Sequence, residues 1–219
     1  MGHQKTMTTP NVKLIWSTPD AENLIAYMAR VSNPNNQDNP ETAPKLLKYL
    51  MKHKHWSPFE MVNVCMEIET TRDIGRQILR HRSFSFQEFS QRYAEAEDFS
   101  MSEARLQDTK NRQNSIELDF QDNSDVQTAY LWERVQDKVR ETCEFNYRFA
   151  LSKGIAKESA RKLLPEGLTM SRMYMNGTLR SWIHYVDIRC DVATQKEHRD
   201  IADQCRVILR GLFPNILGA

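Results

Sequence analysis

Residues 62–93 read VNVCMEIETTRDIGRQILRHRSFSFQEFSQRY. In the opening part Val62, Val64, Met66 and Ile68 are apolar while Asn63, Glu67 and Glu69 are polar, the period of a strand with one wet face; Cys65 is ambiguous. Thr71 can then cap a helix running from Arg72 to about Arg82. From Ser83 to Tyr93 neither periodicity holds, so this stretch reads as a loop or irregular strand.

Working outward, Val12 to Trp16 reads as a short strand, and Ala21 to Val31 and Ala43 to His53 as helices separated by the Asn/Pro-rich loop Asn33 to Pro40. Downstream, Glu97 to Asp125 is polar and aperiodic, a surface hairpin or mobile loop. A long helix follows from Val126 to Ser152, in which Leu131, Val135, Val139, Cys143, Tyr147 and Leu151 form an apolar stripe, either core or subunit interface. Gly154 ends it. Lys157 to Leu164 is a short helix stopped by Pro165, Leu168 to Met175 a strand, and Gly177 to Arg189 and Thr194 to Leu212 are helices. The sum is an α+β fold: a mixed or antiparallel sheet with flanking helices and a long central helix, in one domain over residues 11–219 after a disordered tail at 1–10.

Composition excludes several classes. Thirty basic residues stand against 29 acidic ones, so no global field draws the chain onto nucleic acid. No apolar run approaches the roughly 20 residues a bilayer requires, and the polar start has no signal-peptide core. Four widely spaced cysteines without a C-x-x-C pair suit a reducing compartment, and the expected location is cytoplasmic, or the host cytoplasm for a virus-encoded chain. His53 and His55 have no third ligand at zinc spacing, and no metal is expected. The seven glycines form neither G-x-G-x-x-G nor a P-loop, and no Rossmann unit is expected. Phosphates must therefore be held by side chains.

Arg72, Arg76, Arg80, Arg82 and Arg92 crowd into Arg72 to Tyr93 beside aromatic and hydroxyl side chains. On a helix, Arg76 and Arg80 would lie on one face and could grip one anion together, since arginine forks match phosphate oxygens. A solvated basic face is the other reading. An RNA or single-stranded DNA module built on arginines and rings is a rival class, as is a flavin or nucleotide enzyme of another reaction.

The string RHRSFSFQEFS, Arg80 to Ser90, fits the R-H-R-x7-S pattern and resembles the signature of flavin-dependent thymidylate synthases. The resemblance extends to HWSPFE at His55 to Glu60, to Arg76 and Gln77, to SARKLLP at Ser159 to Pro165, to NGTLRSWIHYVDIR at Asn176 to Arg189, and to Gln195 and Glu197. It implies reductive methylation of dUMP to dTMP, with 5,10-methylenetetrahydrofolate as carbon donor and NADPH-reduced FAD as hydride source. It also implies a homotetramer with active sites shared between subunits, and no nucleic acid or membrane partner.

Residue by residue, the resemblance places Ser57, Arg80, His81, Arg82, Glu88, Thr178, Leu179, Arg180 and His184 at the flavin. At dUMP it places Gln77, Ile78, Leu79, Arg80, Glu88, Phe89, Ser90, Gln91, Arg92, Arg161 and Arg189. Arg189 matches the arginine held against the uracil ring, where it would favour an ionised N3, and is the expected catalytic residue. Met61, Gln87 and Thr178 depart from the family pattern, which commonly has histidine at the first of these positions and asparagine at the other two. The cysteines lie outside the matched binding segments apart from Cys190, which disfavours covalent attack on uracil by sulfur.

Overall fold

The computed structural model describes residues 10–96 and 98–218. All but the last residue of the expected tail at 1–10 therefore lies outside the described part. The chain runs β1 (Asn11–Ser17), α1 (Ala21–Ala29), α2 (Ala43–Lys52), β2 (Asn63–Thr71), α3 (Arg72–Ile78), β3 (Phe84–Glu88), β4 (Arg105–Gln107), β5 (Ser115–Glu117), α4 (Asn123–Ser152), α5 (Lys157–Ala160), β6 (Met170–Thr178), α6 (Leu179–Arg189), α7 (Lys196–Leu212) and α8 (Pro214–Leu217). Single 3-10 turns occur at Pro34–Asn36, Ser57–Glu60 and Arg161–Leu163. Four strands form a sheet in the order β1-β2-β6-β3, and β4 and β5 make an antiparallel hairpin with Leu106 opposite Ile116. The fold is α+β, as the alternation of periods predicts.

Two compact units interleave along the chain. The first comprises Asn11–Ile68, Gln77–Gln87 and Met173–Ala219. Its core holds Ile25, Leu47, Phe59, Val64, Met66, Ile78, Trp182, Ile201 and Leu209, none with appreciable exposure. The Trp182 indole is buried, and its Nε1 donates to the Val64 carbonyl at 3.0 Å, so the large ring enters the core without stranding a donor. Phe84 stands edge-on to Trp182 at 4.9 Å and to Tyr185 at 6.0 Å. Gly177 makes that position possible, because a Cβ there would lie 2.4 Å from the Phe84 ring. Thr178 caps α6 by accepting from the Ser181 amide at 3.2 Å, so β6 passes into the helix with no intervening loop.

The helix expected to reach Arg82 stops at Ile78. Beyond it the amides of Arg80 and His81 bond to the Gln77 and Ile78 carbonyls at 3.3 and 3.0 Å, tight turns that end the α-helical ladder and lead the chain toward buried Phe84. Arg80 therefore lies past the helix end, so the helical spacing that would pair it with Arg76 does not extend to it. Cys65 is buried, so β2 is covered more fully than a one-sided strand would be.

The second unit contains Glu69–Arg76 and Glu88–Arg172. Within it Arg76 forks onto Glu166, with Nε and one terminal nitrogen 3.1 and 2.6 Å from Oε1. Helix α4 is capped by Asp122, which accepts from the Ser124 amide at 2.7 Å. It ends in a Schellman turn: Gly154 sits at φ +77°, its amide bonds to the Leu151 carbonyl and that of Ile155 to the Ala150 carbonyl. The apolar stripe divides. Tyr147 packs into a small core with Ala150, Ala160 and Leu164, whereas Leu131 and Val135 are more than half exposed.

Gly154→Ala should cost about 1 kcal/mol through backbone strain alone, because nothing lies within 4 Å of the added carbon. Gly177→Ala should cost more, since the Phe84 ring must move. Urea denaturation of the two variants ranks them, and equal costs would contradict the close approach at Gly177.

Candidate functional site

In the first unit α6 and α7 pack together, and Arg189 sits in the last turn of α6. Its Nε is 2.9 Å from Nε2 of His81. A guanidinium can only donate, so that ring nitrogen must accept, and His81 is neutral with its proton on Nδ1. Burial, and then the nearby Arg189 charge, hold the His81 pKa down at about 4. One helical turn before Arg189, Tyr185 lies edge-on to the His81 ring at 4.9 Å. Its hydroxyl is 3.1 Å from Nε2 of His198, which is fully buried on α7. Nδ1 of His198 lies 3.3 Å from Oε1 of Gln77, whose Nε2 donates to Oε1 of Gln195 at 2.8 Å. Desolvation, followed by Arg189 and His81, also lowers the His198 pKa to about 4. The phenol of Tyr185, almost wholly buried, is pushed well above its ordinary value.

Three expected site residues, Gln77, His81 and Arg189, are thus brought together, Arg189 and His81 by a hydrogen bond and Gln77 through His198 and Tyr185, whose ring abuts His81. The side chains of Arg80 and Arg82 are exposed and have no hydrogen-bond or ion-pair partner among the described residues. The terminal nitrogens of Arg189 are likewise unengaged among those residues. Elsewhere in this unit Arg180 is paired with Glu60, and His184 packs edge-on to Trp56 at 4.7 Å. Ser57 is exposed at the start of the 3-10 turn that α6 packs against. Thr178 spends its hydroxyl on the helix cap, and the side chains of Leu179 and Ile78 are completely buried, leaving core packing as their evident work. Leu79 is half-buried. Tyr185 and His198 escaped the sequence reading because a ring four residues before Arg189 and a histidine on an apolar helix face both look like ordinary core.

The second unit carries the remaining residues. Glu88 accepts from the Ser171 hydroxyl at 2.8 Å and lies 3.6 Å from Arg72, which fixes its carboxylate. Phe89 is tied by its amide to the Arg172 carbonyl, and Ser90 Oγ accepts from the Arg92 amide at 3.4 Å. The Arg92 guanidinium is 3.6 Å from Glu158. Gln91 is buried, and its Nε2 has no partner among the described residues, although an unpaired buried donor costs about 1–3 kcal/mol. Arg161, half-buried, has no side-chain partner among them either. Unpaired guanidinium groups in each unit, and an orphaned buried amide in the second, suit ligands rich in acceptor oxygens.

Sulfur chemistry fits poorly. Cys190, beside Arg189, is pushed up to about 12 by burial and by its hydrogen bond with Asp203, and burial raises Cys205 as well. Both are protonated thiols near neutral pH, the unreactive form.

The fold and these side chains define an α+β protein equipped to hold anionic, oxygen-rich ligands without a glycine cradle. Residues 13–215 match the family model described as thymidylate synthase complementing protein. The chain is 50% identical over 214 residues to a flavin-dependent thymidylate synthase of Synechocystis, covering 98% of this chain and 96% of that one. A probable flavin-dependent thymidylate synthase of Paramecium bursaria Chlorella virus 1 is 50% identical over 200 residues, covering 91% and 90%. Among solved structures, a UMP/dUMP methylase of Streptomyces cacaoi bound with 5-Br dUMP superposes with a TM-score of 0.82 at 25% identity, over 96% of this chain and 94% of that one. The chain belongs to the flavin-dependent thymidylate synthase family.

Because His81 and His198 titrate near 4 in the fold against an ordinary 6.5, the unfolded chain binds protons in that interval that the native state refuses. Their contribution to stability therefore declines as pH falls from about 6.5 to about 4. Urea midpoints measured between pH 7 and 4.5 should fall, and His198→Asn should flatten the dependence; an equally steep profile in the variant would contradict the desolvation of His198.

Proposed function

We infer that this chain makes dTMP from dUMP by reductive methylation, taking its carbon from 5,10-methylenetetrahydrofolate, and that FAD reduced by NADPH supplies the hydride. The observation that carries this reading is Arg189, whose Nε is fixed on His81 while its terminal nitrogens remain unengaged among the described residues. A half-buried guanidinium with donors to spare can stabilise negative charge developing on a uracil ring, and does so more strongly where water is sparse. Gln77 orients the nucleotide, while Arg80, Arg92, Arg161, Gln91 and the Ser90 hydroxyl hold its phosphate and sugar oxygens. Ser57, His81, Arg82, Glu88, Arg180 and His184 bind the flavin, with Thr178 and Leu179 contributing by setting the start of α6. The raised pKa of Cys190 supports a route without a sulfur nucleophile.

The same reading makes residues 11–219 one functional domain and four copies the working assembly, with sites shared between subunits. The exposed apolar residues Leu131, Val135 and Val139 on α4 support such an assembly. No helix of the described residues is long and apolar enough to cross a membrane. We place the enzyme in the cytoplasm, where its four free cysteines stay reduced, and assign it no nucleic-acid partner.

Arg189→Ala should retain flavin absorption yet lose at least about 100-fold in dTMP formation, the scale for removing one preorganised charge stabiliser. The assay supplies FAD, NADPH, methylenetetrahydrofolate and either dUMP or UMP. Turnover near that of the parent enzyme would remove Arg189 from the chemistry, and preference for UMP would change the substrate.

A further inference from the structure

The hydrogen-bond network behind Gln77 has a direction that its end group imposes. Gln195 places its Nε2 3.1 Å from Oε2 of Glu197. A carboxylate only accepts, so the Gln195 atom facing it must be the NH2 group, and its carbonyl oxygen must face Gln77. That oxygen in turn requires a donor, so Gln77 turns its Nε2 toward Gln195 and its own Oε1 toward His198. His198 must answer Oε1 with an N–H on Nδ1, and because burial keeps the ring neutral near physiological pH, its Nε2 is an acceptor for the Tyr185 hydroxyl. Every polarity along Glu197, Gln195, Gln77, His198 and Tyr185 is thereby determined, and reversing any amide would set two donors or two acceptors against each other.

We propose that His198, held by Tyr185, is a positioning residue that locks the Gln77 carboxamide so that it offers the nucleotide an N–H donor and never its carbonyl. This rests on the reading of Gln77 as a contact to dUMP. The Gln77 NH2 carries two hydrogens, one of which bonds to Gln195, and the other is available to an acceptor oxygen on the ligand. The Gln77 carbonyl is occupied by a fully buried ring that cannot readily swing away. His198 packs at the centre of this arrangement, 5.8 Å from Tyr185 and 6.3 Å from His81 between ring centroids, so its orientation is fixed by its neighbours as well as by hydrogen bonds. Site preorganisation of this kind acts on affinity by removing the wrong amide rotamer before the ligand arrives.

The test measures dUMP dissociation constants on the FAD-loaded enzyme for the parent, His198→Ala, His198→Asn, Gln77→Ala and the His198→Ala/Gln77→Ala double variant, with flavin absorption and melting temperature as controls. His198→Ala should weaken dUMP about threefold to tenfold, the worth of one neutral hydrogen bond. Asparagine, whose amide N–H can stand where Nδ1–H stood, should recover most of that loss. The double variant should bind no more weakly than Gln77→Ala alone, because His198 acts through Gln77. Additive losses, or failure of asparagine to rescue, would overturn the proposal while leaving dUMP binding itself intact. A parent enzyme that binds FAD but not dUMP would instead overturn the reading of the site, and the proposal with it. Should His198→Ala fail to fold, His198→Asn against His198→Gln decides, since glutamine places its amide near the Nε2 position and should not restore affinity.

Discussion

The site is organised around one contact, the donation from Arg189 Nε to His81 Nε2 at 2.9 Å. A group that can only donate faces a ring that can both donate and accept, and the encounter fixes the ring's protonation and tautomer. His81 cannot take a second proton at Nε2 without breaking that bond and placing two cations side by side in a partly dry environment. In return, the ring holds the guanidinium by its inner nitrogen, so the outer nitrogens point a permanent charge in one direction. Catalysis by electrostatic stabilisation needs that fixity, since a charge that must reorganise during reaction gives up much of its advantage.

The helices make the contact possible. Thr178 starts α6 without a loop, and the first unit's Trp182 and Tyr185 anchor it to the core, so Arg189 arrives at the helix end in a fixed place. Tyr185 then links His81 on one side with His198 on the other. A second constraint enters from Glu197 on α7, a pure acceptor that through Gln195 and Gln77 requires an N–H on Nδ1 of His198, while burial keeps that ring neutral.

Much of this architecture could be read from residue order. Alternation in Val62 to Ile68, the glycine after Ser152 and the proline after Leu164 mark boundaries by local physics, and β2, α4 and the α5 segment end close to them. The spacing of the Arg80 to Ser90 signature identifies the family from residue order alone. Long-range partners were not legible. Arg76 looked like half of an anion grip, but Glu166, 90 positions away, takes its guanidinium. The premature end of α3 has the same origin: the tertiary demand to bury Phe84 overrides a local preference for continued helix. His198 is the sharpest case, because its partners Gln77 and Tyr185 come from segments 121 and 13 residues distant, and its own surroundings in sequence mark it only as the inner face of an amphipathic helix.

The most direct measurement is the nitrogen NMR spectrum of His81 in the labelled enzyme near neutral pH. Donation from Arg189 predicts an unprotonated Nε2 coupled to a protonated Nδ1, in a ring that stays neutral. A proton found on Nε2, in either the neutral or the charged ring, would mean that Arg189 is not held as described, and the electrostatic account of the site would fail with it.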